Sequence, residues 1–337
     1  MKAAMIEDGS VHVRDVPRPT PGGEEALVRI AAAGVCHSDL HMVRARVPRA
    51  MPIGHEAIGI VEALGPGAER SVHVGDRVIL GLGGMGGYWC GTCEYCLRGL
   101  PRHCPESKRI IGTFAEYTSL WAPSLVTVPE TIADHDAPLA CGGLTAYGAV
   151  KKLEDHGVGP GQRIAIIGAA GGLGHYAVQI AASFGYDVIG VDVGEDRLDF
   201  VRSLDAHHVF DASEAKDQIR ALGGAHASLV FAVRMAGFRL GLQVLRPAGL
   251  FVAVALPPKS EGTFDLDPME LFMKDPTIVY SAVGTVQDMR ELVRLAAARR
   301  VTSHVSRVGA LSELGSILGE LERAEYTGRA VITDLAA

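Results

Sequence analysis

The sequence has no excess of positive charge, no internal repeat and no low-complexity segment. Its 32 lysine and arginine residues are outnumbered by 39 aspartate and glutamate residues, which gives a formal net charge of −7. The basic residues are scattered along the chain, whereas a protein that binds nucleic acid or an anionic membrane surface carries a basic patch. The charge pattern therefore argues against nucleic acid and against a membrane as the main partner.

The opening residues also lack the apolar core of a signal peptide, because MKAAMIEDGS carries Glu7 and Asp8. One stretch, residues 164–186, has no Asp, Glu, Lys or Arg and is long enough to span a bilayer. It contains five glycines, however, and its pattern changes from strand-like to helical. We predict a buried strand, a glycine turn and a helix there, in a cytoplasmic protein without a membrane span.

Cysteine is scarce, with six residues in the chain, yet four of them, Cys90, Cys93, Cys96 and Cys104, fall close together as Cys-x2-Cys-x2-Cys-x7-Cys. Disulfides are rare in a reducing compartment, and four thiolates on a short loop suit a closed tetrahedral zinc site. An iron–sulfur cluster remains an alternative because Pro105 follows the last cysteine. Four thiols without a metal are the other alternative. A closed zinc site has no open coordination position, so the chemistry must lie elsewhere.

The order of predicted elements indicates two domains. About 145 residues at the start read as short strands punctuated by Gly and Pro, which predicts a β-rich domain. Strand-like segments at 163–168, 187–192, 207–210, 228–233 and 249–255 then alternate with helical segments, which predicts a doubly wound parallel sheet of the Rossmann type. Two amphipathic helices and a strand-like GRAVITD close the chain and could return to the first domain. We therefore assign 147–285 to the Rossmann domain, and 1–146 with 286–337 to the other.

A glycine-rich turn marks the candidate dinucleotide site. The segment IIGAAGGLGHYAVQIA places Gly168, Gly171, Gly172 and Gly174 between a strand and a helix, where backbone can approach a pyrophosphate. Asp192 ends the next predicted strand and would accept hydrogen bonds from the adenosine ribose, which favours NAD over NADP. The alternative is a structural glycine turn with an ordinary aspartate at a strand end.

Three dispersed residues could hold a second, reactive metal. Cys36, His55 and Cys141 offer two thiolates and an imidazole, and three such ligands leave the fourth position of a zinc ion open to an alcohol oxygen. Their spacing alone does not group them. Taken singly, each is more often a buried cysteine or a core histidine.

Read together, seven segments resemble the zinc-dependent medium-chain alcohol dehydrogenases, in that family's order and along the whole chain. They are GVCHSDLH, GHE, the four-cysteine loop, CGGLTAYGAVKK, GAAGGLGHYAVQIA, IGVD and GRAVITD. The resemblance implies a GroES-like catalytic domain beside an NAD-binding Rossmann domain, and reversible oxidation of a primary or secondary alcohol. It implies two zinc ions per subunit, one catalytic on Cys36, His55 and Cys141 and one structural in the four-cysteine loop.

The resemblance also implies roles for neighbouring residues. Asp39 would orient His55, and Glu56 would lie close behind the zinc. Ser38 would hydrogen-bond the alcohol oxygen and start a proton relay through the cofactor's ribose to His41. The implied cofactor contacts are His37, Thr145, Gly168, Gly171, Gly172, Leu173, Gly174, Asp192, Arg197 and Arg329.

Some of these assignments have plain alternatives. Thr145 could be an ordinary helix position, His37 a surface residue and Arg329 a solvated charge. Val286 stands where many relatives carry arginine.

The substrate and the assembly are less well indicated. The segment between His41 and His55, which carries Arg44, Arg46 and Arg49, is short, as is the segment after Cys104. Both help to wall the substrate cleft in the family, so the sequence does not identify the alcohol, aldehyde or ketone. A dimer or tetramer is expected by analogy with the relatives.

Two rival functions would account for parts of the same sequence. A zinc-free medium-chain reductase of quinones or enoyl thioesters would share the fold but would ordinarily lack Cys36, His55 and Cys141. A non-enzymatic zinc-ribbon binder could use the four-cysteine loop alone, but for nucleic acid it would need a basic patch.

Overall fold

The computed structural model describes residues 1–45 and 50–337, so Arg46 and Arg49 lie outside the described residues. Within those ranges its strands are β1 (Lys2–Glu7), β2 (Ser10–Asp15), β3 (Glu25–Val35), β4 (Met51–Pro52), β5 (Ala57–Leu64), β6 (Arg77–Leu80), β7 (Tyr117–Trp121), β8 (Val126–Thr127), β9 (Arg163–Ile167), β10 (Asp187–Asp192), β11 (His208–Asp211), β12 (Ala225–Val230), β13 (Leu245–Ala253), β14 (Thr277–Tyr280), β15 (Val305–Ala310) and β16 (Arg329–Asp334). Its α-helices are α1 (His37–Arg44), α2 (Glu94–Leu97), α3 (Gly142–Asp155), α4 (Gly174–Ser183), α5 (Glu195–Arg202), α6 (Ala215–Ala221), α7 (Met235–Gln243), α8 (Pro268–Lys274), α9 (Val286–Ala297) and α10 (Leu314–Glu322).

The first compact unit comprises Met1–Leu144 together with Gly284–Ala337. It contains a three-stranded sheet, β2-β1-β4, and a seven-stranded sheet in the order β15-β16-β3-β5-β6-β8, with β7 also paired to β3. The closing strand β16 lies antiparallel to β3, with Ala330 opposite Val35. The end of the chain therefore completes the sheet that leads into Cys36.

The second unit, Thr145–Val283, is built on a six-stranded sheet in the order β11-β10-β9-β12-β13-β14. Every neighbouring pair in it is parallel, and helices connect successive strands. Its central strands β9 and β10 are almost entirely buried, which explains their uninterrupted apolar sequence. This arrangement confirms the predicted Rossmann sheet.

The uncharged stretch at 164–186 folds as β9, the glycine turn and α4, as the sequence predicts. In the part of the chain that the structure describes, no helix is long and apolar enough to cross a membrane.

The structure differs from the predicted strands in several places, and β13 spans Leu245–Ala253 rather than 249–255. β12 ends at Val230 rather than at 233, because the N–H groups of Phe231 and Ala232 both donate to the carbonyl of Ile167 and turn the chain out of the sheet. β14 was not predicted. It is only four residues long and partly exposed, so it lacks the buried apolar run that identifies the inner strands.

Candidate active site

Four buried side chains of the first unit bring their ligand atoms together. Cys36 directly follows β3, His55 and Glu56 precede β5, and Cys141 precedes α3. Their Sγ, imidazole nitrogen and carboxylate oxygen atoms all lie within 4.8 Å of one another. Glu56 is fully buried, and the other three are at most 7% exposed. The sheet thus gathers residues that are up to 105 positions apart in the chain.

Asp39 supports two of these residues at once. The N–H of Cys36 donates to Asp39 Oδ2 over 2.9 Å, and Asp39 Oδ1 lies 3.0 Å from His55 Nδ1. Because an ionised carboxylate only accepts hydrogen bonds, Nδ1 of a neutral His55 must carry the proton, which leaves Nε2 as an electron-pair donor. The predicted orienting contact between Asp39 and His55 is thus present in the geometry.

The donor atoms fit a zinc ion. Nε2 of His55 is buried, and no group among the residues that the structure describes meets it with ordinary hydrogen-bond geometry, which is costly unless another group takes up its lone pair. The Cys141 thiol hydrogen-bonds to the Cys36 sulfur, which holds the pKa of Cys36 well below and that of Cys141 well above the usual range. Two sulfurs that share a proton beside an imidazole nitrogen are a donor set that zinc prefers.

Glu56 is held by a buried ion pair. Arg329 Nη2 donates to Glu56 Oε1 over 2.6 Å and also to Oε2. Burial raises the pKa of Glu56 to about 8, although the guanidinium of Arg329 opposes this rise. Gly34 makes room for the carboxylate, because a Cβ at that position would lie 2.1 Å from Glu56 Oε2. Arg329, which the family resemblance assigns to a cofactor phosphate, therefore also fixes Glu56.

Thr113, in the short segment before β7, forms hydrogen bonds with the turn that carries His55 and Glu56. The buried Thr113 hydroxyl accepts the N–H of Glu56 over 3.2 Å, and Thr113 also donates its own N–H to the carbonyl of Gly54. Gly54 has φ +102°, and a Cβ there would lie 2.7 Å from the backbone nitrogen of Phe114. Sequence reasoning missed Thr113, because an isolated threonine in GTFAEY carries no ligand or motif signal.

The predicted relay residues, Ser38 and His41, and the predicted cofactor contact His37 lie on the surface of α1. His37, Ser38 and His41 are all exposed, and Ser38 and His41 are three positions apart, so they are neighbours on the helix. Thr145 belongs to the second unit, where it is 8% exposed on α3.

The four-cysteine loop forms a separate cluster. The sulfurs of Cys90, Cys93, Cys96 and Cys104 lie within 4.8 Å of one another, and all six cysteines of the chain are free thiols. Backbone N–H groups of Thr92 and Cys93 point at the Cys90 sulfur and lower its pKa to about 6. Burial of the Cys96 sulfur raises its pKa to about 12. Four convergent sulfurs with no disulfide among them fit a tetrahedral metal cage.

The glycine turn of the second unit has the predicted geometry. Gly168 has φ +86°, and a Cβ on Gly174, the first residue of α4, would lie 2.0 Å from the Gly168 carbonyl oxygen. Gly171, Gly172 and Leu173 are partly exposed at the start of that helix. The backbone is therefore open to a ligand at the helix N-terminus.

Asp192 closes this turn from the neighbouring strand. Its Oδ2 accepts the N–H of Ala170 over 2.8 Å, and its Oδ1 accepts the N–H of Val193 over 2.9 Å. Arg197 Nη1 lies 3.6 Å from Oδ1. Each carboxylate oxygen has a second lone pair, so Asp192 can still accept from a ribose hydroxyl.

Comparison with known proteins places this geometry in a family. Residues 22–130 match the model of the alcohol dehydrogenase GroES-like domain, and residues 172–298 match that of the zinc-binding dehydrogenases. An alcohol dehydrogenase from Geobacillus stearothermophilus is 34% identical over 98% of this chain and 99% of its own length.

Solved structures agree with these matches. The alcohol dehydrogenase of the archaeon Aeropyrum pernix has a TM-score of 0.88 and 31% identity over 99% of this chain and all of its own. A structure described as an NAD-dependent alcohol dehydrogenase has a TM-score of 0.89 and 26% identity, with 99% of each chain covered. The first unit thus contains the expected GroES-like domain, and the chain belongs to the medium-chain zinc alcohol dehydrogenase family.

Proposed function

We propose that this alcohol dehydrogenase oxidises a primary or secondary alcohol reversibly with NAD, at a zinc ion held by Cys36, His55 and Cys141. The observation that carries the proposal is the buried donor set, in which the described part of the chain offers His55 Nε2 no partner of ordinary hydrogen-bond geometry. When bound, zinc would act as a Lewis acid that lowers the pKa of an alcohol. A zinc-free reductase would have no use for these three donors.

The surrounding residues have distinct tasks. Asp39 fixes the tautomer and orientation of His55, which makes Nε2 available as a donor. Arg329 binds the Glu56 carboxylate, so that three donors remain for the metal and one position is left for substrate. Ser38 would accept the alcohol proton as it passes on its own, and His41, which is exposed, would release a proton to water.

The cofactor is assigned to the glycine turn. We infer that the α4 N-terminus binds the pyrophosphate, that Asp192 accepts the adenosine ribose hydroxyls and that Arg197 lies beside them. His37, Thr145 and Arg329 complete the proposed contacts. The description of a structural relative as NAD-dependent supports NAD as the hydride acceptor.

The four-cysteine cluster is proposed to hold the second zinc. With four sulfurs and no open position it would stabilise its loop and would not bind substrate. Six free thiols, of which several act as metal donors, suit the reducing cytoplasm.

We also infer a homo-oligomer formed through the edge of the second unit. β14 pairs with β13 on one side, and no other strand of the described chain covers its other side. Ile278 and Tyr280 on this strand and Phe272 on α8 are exposed, Phe272 by 80%. A second copy related by a twofold axis could pair its own β14 with this edge and cover the apolar side chains.

The activity test is a panel of alcohols and of aldehydes or ketones, followed by NADH absorbance. We expect NAD-dependent turnover of at least one alcohol, and no turnover by Cys141→Ser with the fold retained. A Cys141→Ser variant that is as active as the wild type would refute the proposed metal site.

A further inference from the structure

We propose that Asp211 is a second specificity-determining residue for the cofactor, which acts together with Asp192 against the 2′-phosphate of NADP. The inference rests on the proposed function, since it takes Asp192 as the ribose contact. It adds a residue that neither the glycine motif nor the family resemblance assigns.

The sheet places the two carboxylates side by side. β10 and β11 are parallel, each ends in an aspartate, and the register pairs Asp192 directly with Asp211. Neighbouring strands are about 4.8 Å apart, so both side chains leave the same edge of the sheet at adjacent positions. In an α/β sheet this edge, at the carboxyl ends of the strands, is where the ligand binds.

Hydrogen bonds fix Asp211 on the turn that follows Asp192. Its Oδ2 accepts the N–H of Gly194 over 3.1 Å, and its Oδ1 accepts the N–H and the hydroxyl of Ser213 over 2.9 and 2.6 Å. These hydrogen bonds, first those from Ser213, lower the pKa of Asp211 and keep it ionised at neutral pH. Gly194 is only two residues beyond Asp192, so the negatively charged carboxylate of Asp211 lies against the turn that follows Asp192.

The carboxylates at this turn outnumber the cationic side chains that pair with them. Asp192 has the guanidinium of Arg197 at 3.6 Å. Asp211 has no cationic side chain within 4.0 Å among the residues that the structure describes. Two carboxylates therefore face one guanidinium. A neutral ribose hydroxyl is little affected by the surplus charge, whereas a dianionic phosphate on the same ribose is repelled.

The test is titration calorimetry of the full-length protein with ADP-ribose and with 2′-phospho-ADP-ribose. The variants are Asp211→Asn, which keeps the shape and an acceptor oxygen, Asp211→Ser as a smaller alternative, and Asp192→Gly. Asp187→Asn is the matched control, because it removes a carboxylate from the other end of β10, roughly 17 Å away at 3.3 Å per residue.

We expect Asp211→Asn to strengthen binding of 2′-phospho-ADP-ribose by about two- to fivefold, because the substitution removes one partly screened negative charge. Binding of ADP-ribose should stay within about twofold, and the gain should shrink in high salt because screening weakens the repulsion. Asp187→Asn should leave the ratio of the two affinities unchanged.

The outcomes distinguish a failure of the Asp211 inference from a failure of the proposed ribose contact at Asp192. If Asp192→Gly shifts the ratio but neither Asp211 variant does, or if the gain is independent of salt, Asp211 is not a specificity determinant. If Asp192→Gly itself leaves the ratio unchanged, the proposed ribose contact is wrong.

Discussion

In the proposed relay, two residues on successive turns of α1 carry the proton away from the alcohol. A serine hydroxyl can pass a proton but has no accessible pKa near neutrality, whereas an imidazole can accept a proton and release it to water. Ser38 and His41 are neighbours on the exposed helix surface, so the second step ends in solvent. The two residues should therefore differ in how far solvent can replace them.

His41→Gln should slow alcohol oxidation by about ten- to a hundredfold near neutral pH, at the low end for loss of a general base. The deficit should shrink as pH rises, because hydroxide then removes the proton directly. Ser38→Ala should be slower still and less rescued. The measurement is a pH profile of kcat/KM for both variants and the wild type. A His41→Gln variant equal to the wild type at neutral pH, where a solvent isotope effect shows proton removal to be rate-limiting, would rule out this route.

At the scale of single contacts, the family resemblance predicted the metal donors but not how they are held. The ion pair between Arg329 and Glu56 joins residues 273 positions apart, and no local pattern indicates which carboxylate a distant arginine will meet. The hydrogen bond from Glu56 to Thr113 is hidden for the same reason. Such contacts depend on the register of the strands, which single residues do not determine.

Among the elements, the Rossmann sheet was predictable because its signals are local. An apolar strand, a glycine turn and a helix follow one another within 164–186, and Asp192 ends the next strand. The short edge strand β14 and the pairing of Asp192 with Asp211 were not. The former has no buried apolar run, and the latter depends on which strands become neighbours.

The exposed edge at β14 leads to a prediction about assembly. Replacing Phe272 and Met273 together by glutamate should lower the molar mass measured by light scattering, because it places charge on a surface that a second copy would bury. Both side chains are at least 70% exposed in the single chain, so the fold should tolerate the change. Leu97→Glu, at a 75% exposed leucine of the first unit, is the control. A monomeric wild type, or equal dissociation by the control, would contradict this interface.

At the scale of the whole molecule, the proposed roles are divided between two thiol-rich sites, one in catalysis and one in stability. One combines two sulfurs, an imidazole and a carboxylate that an arginine holds, whereas the other has four sulfurs on one loop. A site with three protein ligands and an open position should lose metal more readily than a closed cage. Loss of metal should therefore affect turnover before it affects stability.

The most direct test of this division is the zinc content per chain, measured by mass spectrometry of the metal before and after mild chelation. We predict two zinc ions in the wild type, of which chelation removes one and abolishes turnover while the melting temperature is nearly unchanged. Cys141→Ser should retain one zinc and the fold, whereas Cys104→Ser should chiefly lose thermal stability. A single zinc in the wild type, an iron–sulfur chromophore, or equal effects of the two substitutions on stability would contradict the assignment of the two sites.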